Sequence, residues 1–488
     1  MSTVAENDQT AKITKARRDL FWQLLPKIPA IARVVLLHVL RISETSKYLN
    51  LETDITLTVL RAVLHGPRRP LKQTQALTLL DPGVKGRIWI SRVTAPIPPE
   101  TGIRDVLLDV IHAMSETPLN EWSFGIPDLV PVEAEWTGYR AGVKADEPLP
   151  EISEEDRYEK MMAECRNKAT VLYMHGGAFY LCDPSTHRPT TKKLAKLTGG
   201  RVYSVRYRLA PQHPFPAALL DMFVAYFTLL YPPPGSMHQS VVPEDIVFAG
   251  DSAGGGLALS LVQLLLELRR QDRKVPWYGL EREVPLPAGV TCLSPWTDVL
   301  QSMPSWERNQ KWDFLGPPNL LSEDQPPPDS VWPSKPPRRH LYAPDALLMH
   351  PLVSPHLAKS WADSPPMWIV CGWECLADED KYLVAKLTAN GVPVVFEEYE
   401  AMPHTFCAVL PKIAGSVRCY ESWAGFIKTV TGGEGVKSKY TYVEAKSLRE
   451  SEIEPNSLTR YGEKDASEMA AKAVGMEIGG LSPVTSKL

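Results

Sequence analysis

The chain has 488 residues, 44% of them apolar and 23% charged, a composition that suits a globular protein with a large core and excludes a fibrous or wholly disordered one. A formal net charge of −4 leaves no basic surplus for a phosphate backbone, so nucleic acid is not an expected partner and a small neutral molecule is. Seven cysteines, odd in number and spread from Cys165 onward, lack the dense spacing of a disulfide framework and are read as reduced.

The first 19 residues are polar and carry acids, without the apolar stretch and small-residue cleavage site of a secretory signal, so an intracellular location is expected, cytoplasmic or against the endoplasmic-reticulum membrane. From Leu20 to Ile42 the chain turns apolar, but Pro26, Lys27, Pro29 and Arg33 interrupt it, and a clean span of about 20 apolar residues is not reached. A transmembrane helix and an amphipathic segment both remain open. The interruptions favour the second, either covering the mouth of a site or making peripheral contact with a membrane through residues 20–42. Residues 1–130 form an N-terminal extension with helix-like stretches at 51–64 and 103–114 and a strand-like run at 86–93.

After Ala169 short apolar runs recur: TVLYM (170–174), VYSV (202–205), DIVFA (245–249), GVTCL (289–293), MWIVC (367–371) and VVFEEY (394–399). Amphipathic stretches at 215–230, 254–270 and 379–390 lie between most of them. Strand and helix in alternation predict an α/β fold, a mostly parallel sheet covered by helices on both faces. Residues 131–432 are read as one catalytic domain. Its insertion at 302–345 is too rich in proline for regular structure, and Trp306, Trp312 and Trp332 predict an ordered, aromatic-packed loop there. The tail, 433–488, has few large apolar residues and is expected to be mostly disordered.

The central motif is GDSAGG, Gly250 to Gly255, directly after DIVFA and directly before a helical stretch. A nucleophile raised on a strand-to-helix turn needs small neighbours, which Gly250 and Gly254 supply, and the helix start points N–H groups toward developing negative charge. This makes Ser252 the candidate nucleophile. HGGAF, His175 to Phe179, follows the preceding strand, and successive glycines there let the main chain approach an oxyanion. Gly176, Gly177 and the N–H of Ala253 are the candidate oxyanion donors.

In this order of elements the acid and then the base follow the serine. His404, in EYEAMPHTF past the last strand, is the candidate base, with His350 and His356 as competitors placed too early in the chain. The acid is sought in CGWECLADED, after MWIVC. Glu374 stands closest to the strand end; Asp378 is the alternative, expected instead to cap the following helix. Neither metal nor cofactor is called for, since no second Cys or His pair accompanies Cys371 and Cys375 at zinc-ligand spacing.

HGGAF, YRLAPQHPFPAALLD (207–221), GDSAGG, SPWTD (294–298), HPLVSP (350–355), GWECLADE and MPHTF together resemble the hormone-sensitive-lipase-like branch of the α/β-hydrolases, the α/β hydrolase fold-3 family, over about residues 165–430. Two departures stand out: the branch usually has aspartate where Glu374 stands and a third glycine where Ala178 stands. The extension and the Trp- and Pro-rich insertion look like those of fungal members, some of which resemble steryl acetyl hydrolases. The resemblance implies an N-terminal helical cap, a serine nucleophile with a catalytic triad, and hydrolysis of carboxylic esters with short to medium acyl chains, an acetylated sterol or other apolar alcohol among them. An amidase or formamidase on the same scaffold, or an inactive ligand-binding member, are the rival readings.

Overall fold

The computed structural model describes residues 14, 15, 18, 22, 24–66, 68–120, 123–317 and 326–475. Its strands are β1 (Trp89–Ala95), β2 (Val132–Gly138), β3 (Thr170–Met174), β4 (Arg201–Arg206), β5 (Ile246–Asp251), β6 (Val275–Trp277), β7 (Leu280–Arg282), β8 (Gly289–Leu293), β9 (Met367–Gly372), β10 (Val394–Tyr399), β11 (Lys439–Val443) and β12 (Glu450–Glu452). Ten of them form one sheet in the order β1-β2-β4-β3-β5-β8-β9-β10-β11-β12, and β6 and β7 make a separate hairpin. Pairing is parallel from β4 through β11 and antiparallel only at the two ends, β1/β2/β4 and β11/β12. This is the doubly covered, mostly parallel sheet that the alternating pattern predicts.

The middle strands are buried along their whole length because helices lie on both faces, so they read as continuous apolar runs without alternation. The helix Ala217–Leu230 carries the same logic to its limit: all 14 of its residues are buried, which places it between the sheet and other elements, not at the surface. The helix Ala253–Arg270, which starts at the candidate nucleophile, is buried from Ala253 through Leu266. A buried first turn keeps this helix start, and what it carries, fixed in place.

The insertion is ordered where described: Trp306, Trp312 and Trp332 are all buried. Trp312 meets Tyr48 of the N-terminal extension edge-on, ring centroids 5.3 Å apart, and packs on Trp373 at the same distance. The N-terminal extension contributes the helices Ile28–Val39 and Leu51–Leu64, tied by His38 Nδ1 to Asp54 Oδ2 at 2.8 Å. Asn50 caps the second by accepting the N–H of Thr53 at 2.8 Å. Among the described residues no helix is long and apolar enough to cross a membrane.

The tail departs from expectation. Instead of disorder after residue 432, β11 adds a parallel strand to β10, Phe396 opposite Tyr440, and the helix Glu463–Val474 docks against the domain. Large side chains are scarce there because the contacts do not need them. β11 draws on the hydrogen-bonding edge of β10 and buries Tyr440 and Val443, while the helix presents the small stripe Ala466, Ala470, Val474 at four-residue spacing. Residues 476–488 lie outside the described residues.

Candidate active site

Ser252 follows β5 with φ 53° and ψ −125°, a left-handed conformation that costs energy for a residue with a Cβ and that the surroundings must hold. Its N–H donates to the Leu293 carbonyl at 3.0 Å, and its carbonyl accepts from Trp296 at 2.9 Å and Gly256 at 3.0 Å. A Cβ on Gly254 would run into the carbonyl oxygens of Met174 and His175, so the helix can start this close to the end of β3 only with glycine there. The Ser252 side chain makes no capping bond to its own helix, so the hydroxyl is not consumed by local structure.

The loop after β3 lies against this turn. Gly177, Ala178 and Phe179 take φ values of 116°, 53° and 65°, three left-handed residues in succession. Asp251, the residue before the serine, accepts from Tyr173 Oη at 2.6 Å, from the Gly176 N–H at 3.2 Å and from His187 Nε2 at 3.3 Å. Burial alone would raise the Asp251 carboxyl, but His187 and Tyr173 hold it down at about 2. This corrects one donor assignment: the Gly176 N–H is spent on Asp251, fixing the loop, whereas the N–H groups of Gly177, Ala178 and Ala253 have no protein acceptor among the described residues.

Glu374 is fully buried just past β9, and His404 is buried just past β10. His404 Nδ1 lies 2.8 Å from Glu374 Oε1. The other carboxylate oxygen accepts from Ser294 Oγ at 2.7 Å and the Gly372 N–H at 2.9 Å, while Ser294 Oγ also accepts the N–H of Thr405 at 3.1 Å. Ser294 follows Leu293, whose carbonyl holds the Ser252 N–H, so one short segment after β8 ties the serine, acid and histidine loops together. Burial pushes the His404 imidazole down, but the Glu374 carboxylate outweighs it and leaves the ring above its ordinary 6.5.

Asp378 is turned elsewhere. It is paired with Arg308 at 2.7 and 3.0 Å. Nor does it cap the helix Ala377–Ala389: Leu376 occupies that position and Asp378 lies in the first turn, where a carboxylate favours the helix dipole. His350 bonds the Ile111 carbonyl at 3.0 Å and His356 that of Thr297 at 2.7 Å, which accounts for both as packing residues.

Three contributors escaped the sequence reading. Ser294 lies inside SPWTD and Asp251 inside GDSAGG, and the motifs give neither of them a role. Asp313 comes from the insertion and has no motif: it is fully buried and accepts the N–H groups of Cys375 at 2.7 Å and His404 at 3.3 Å.

A nucleophile elbow on a parallel sheet, a glycine loop beside it and a buried carboxylate–imidazole pair from the ends of β9 and β10 define a serine hydrolase of the α/β-hydrolase class. The family model described as alpha/beta hydrolase fold matches residues 171–408. An acetyl-hydrolase of Streptomyces hygroscopicus is 32% identical over 55% of this chain and 78% of its own length. An esterase of Acinetobacter venetianus is 30% identical over 51% and 71%, and an esterase of Mycobacterium tuberculosis 28% over 66% and 98%. The crystal structure of an esterase from the bacterial hormone-sensitive lipase family superposes with a TM-score of 0.53 at 23% identity, covering 79% of this chain and 99% of that one, a likeness of fold. The chain belongs to the α/β hydrolase fold family, and it is a carboxylic-ester hydrolase.

Proposed function

We propose that hydrolysis runs through an acyl-enzyme on Ser252, with His404 as base and then acid and Glu374 as its orienting carboxylate. The observation that carries this is the buried 2.8 Å contact between His404 Nδ1 and Glu374 beside the strained Ser252 turn. With Nδ1 committed to the carboxylate, Nε2 is the nitrogen that exchanges protons with the serine. Ser252 Oγ attacks the acyl carbon and its proton passes to Nε2. The tetrahedral oxyanion is met by the N–H groups of Gly177 and Ala253, with Ala178 as a third donor. Collapse expels the alcohol, which takes the proton from the imidazolium. Water then attacks the acyl carbon, gives a proton to His404, and the acid departs from a restored Ser252.

The substrate class is an ester of a short to medium acyl chain with an apolar alcohol, an acetylated sterol being the specific case. The acetyl-hydrolase relative supports the short acyl group. The apolar alcohol is supported by the N-terminal helix Ile28–Val39, which leaves Ile28, Leu36 and Val39 exposed, with Leu25, Leu40 and Ile42 exposed beside it and Lys27, Arg33 and Arg41 in the same segment. An apolar stripe with cations around it suits the surface of an anionic bilayer, so the segment makes peripheral contact with an intracellular membrane where such esters dissolve. In domain terms, residues 1–130 are the extension that bears this contact and 131–432 the catalytic unit.

Hydrolysis of p-nitrophenyl esters of increasing chain length, followed by cholesteryl acetate in phosphatidylserine-containing vesicles, tests this reading. Preference for acetate to hexanoate and release of sterol support it. Activity confined to long acyl chains, or to anilide substrates, overturns the substrate assignment.

A further inference from the structure

We infer that Asp313 is a positioning residue of the active site: it registers the loop of the acid against the loop of the base, and Arg61 of the N-terminal extension holds it there. This rests on the proposed triad and adds to it a member from the Trp- and Pro-rich insertion.

The carboxylate of Asp313 is surrounded by donors. One oxygen accepts the N–H of Phe314 at 2.7 Å, of Leu315 at 3.3 Å and of His404 at 3.3 Å; the other accepts the N–H of Cys375 at 2.7 Å. The first two are local and fix the turn that follows Asp313. The other two reach across the fold to the base itself and to the residue next to the acid. A single side chain therefore sets the distance between the two loops that must present Glu374 and His404 to each other.

The insertion supports the same place from other atoms. Asn309 Nδ2 donates to the Glu374 carbonyl at 2.9 Å, and Ser305 Oγ to the Cys375 carbonyl at 2.6 Å, so two successive carbonyls, that of the acid and the next, are held by the insertion. Phe314 packs edge-on against the His404 ring, centroids 5.9 Å apart. From outside, Arg61 on the helix Leu51–Leu64 donates through Nε to the Asp313 carbonyl at 2.8 Å and through its terminal nitrogen to the carbonyls of Gln310 and Lys311 at 3.2 and 2.6 Å. Three carbonyls converging on one guanidinium lock the segment 310–313 to the extension. Its geometry thus depends on a helix some 250 residues away in sequence, as the separation of 252 for the Arg61–Asp313 bond records.

Charge adds to registration. The charged and titratable groups facing His404 are Glu374, Asp313 and Asp251, and each favours the imidazolium. Those facing Asp313 are His404, Glu374, the Cys375 thiol and Arg61. Burial raises the Asp313 carboxyl and His404 opposes that rise. Because every protein group bonded to its oxygens donates, the ionised form is the one the site fits. Loss of that charge leaves the imidazolium formed during attack less stabilised, while substrate binding, which precedes proton transfer, is untouched.

The test compares Asp313→Asn, Arg61→Met and Glu374→Gln with the parent by kcat, KM and the pH profile of kcat/KM on p-nitrophenyl acetate. Asp313→Asn is expected to lower kcat about ten- to a hundredfold, the size of effect that a small misplacement of reacting groups produces, with KM within about twofold. Its acidic limb moves to lower pH, since His404 has lost a neighbouring negative charge. Arg61→Met is expected to lower kcat by a smaller factor and to leave the limb where it was. Parent-like kcat and limb in Asp313→Asn overturn the inference, and so does a lower thermal midpoint with both parameters unchanged. If Asp313→Asn does not fold, Arg61→Met decides: a parent-like kcat there overturns the inference. A parent-like Glu374→Gln would instead refute the underlying triad.

Discussion

Replacing Glu374 by glutamine separates the two carboxylates of the acid loop and tests how the base is held. Glu374 accepts three hydrogen bonds in full burial, from His404 Nδ1, Ser294 Oγ and the Gly372 N–H. Glutamine fills the same volume but carries two donors on one arm. If its amide nitrogen faces His404, the imidazole is driven to the tautomer with its proton on Nε2, which cannot accept the serine proton; if it faces the other way, it opposes the Gly372 N–H donor to donor. Either way the imidazolium loses its counter-charge. Triads with this change lose about 10⁴-fold in kcat, which is about 5.4 kcal/mol of transition-state stabilisation at about 1.36 kcal/mol per decade. Because Glu374 raises the imidazole above 6.5, and because the base works only when neutral, parent activity falls as pH drops through a midpoint above 6.5. In Glu374→Gln that midpoint moves down. Asp378→Asn is the control: it breaks an ion pair to a half-exposed Arg308, worth about 0.2–1 kcal/mol of stability, and leaves kcat unchanged. Steady-state kinetics and pH profiles of both variants provide the measurement. Loss of activity at 378 with retention at 374 would refute the assignment.

Gly254→Ala should abolish turnover by at least about a hundredfold in a folded protein, because the new methyl meets backbone carbonyls of Met174 and His175 that cannot yield without moving the glycine loop; parent-like kcat would show the turn to be looser than described. Arg188→Ala should destabilise the fold by about 3 kcal/mol, the low end for a broken buried pair, since among the described residues Glu135 is left buried with only Arg92 at 3.6 Å; urea unfolding reads the change, and a shift under about 1 kcal/mol contradicts it. Ending the chain at residue 436 should uncover the edge of β10 and yield oligomers or precipitate by size-exclusion chromatography, whereas a monodisperse active product would show that β11 is dispensable.

What was legible in the sequence was whatever a local pattern encodes. The six apolar runs from TVLYM to VVFEEY are strands because each is a continuous β-forming stretch bounded by helical periodicity, and their order alone places Ser252, Glu374 and His404 at one end of the sheet. β2 is harder to see, because its buried Glu135 breaks the apolar run and is held chiefly by Arg188, 53 residues later in the chain. The tail misled for the opposite reason: Ala466 and Ala470 look weakly apolar until the surface they fit is known. The Gly176 N–H and the Asp378 carboxylate were misassigned because motif position does not tell which partner a group meets; Asp251 and Arg308 claim them. Asp313 sits where no spacing rule reaches, in an insertion whose place against the triad is set by packing of Trp312 and Phe314.

The central claim is that Ser252 carries the acyl group. Reaction with a fluorophosphonate probe followed by peptide mass spectrometry, alongside p-nitrophenyl acetate turnover, tests it directly. One adduct per chain is expected, on Ser252, formed in step with loss of activity and absent in an inactive Ser252→Ala. An adduct on another residue that accompanies inactivation, or a Ser252→Ala protein that still turns over ester at the parent rate, would contradict it.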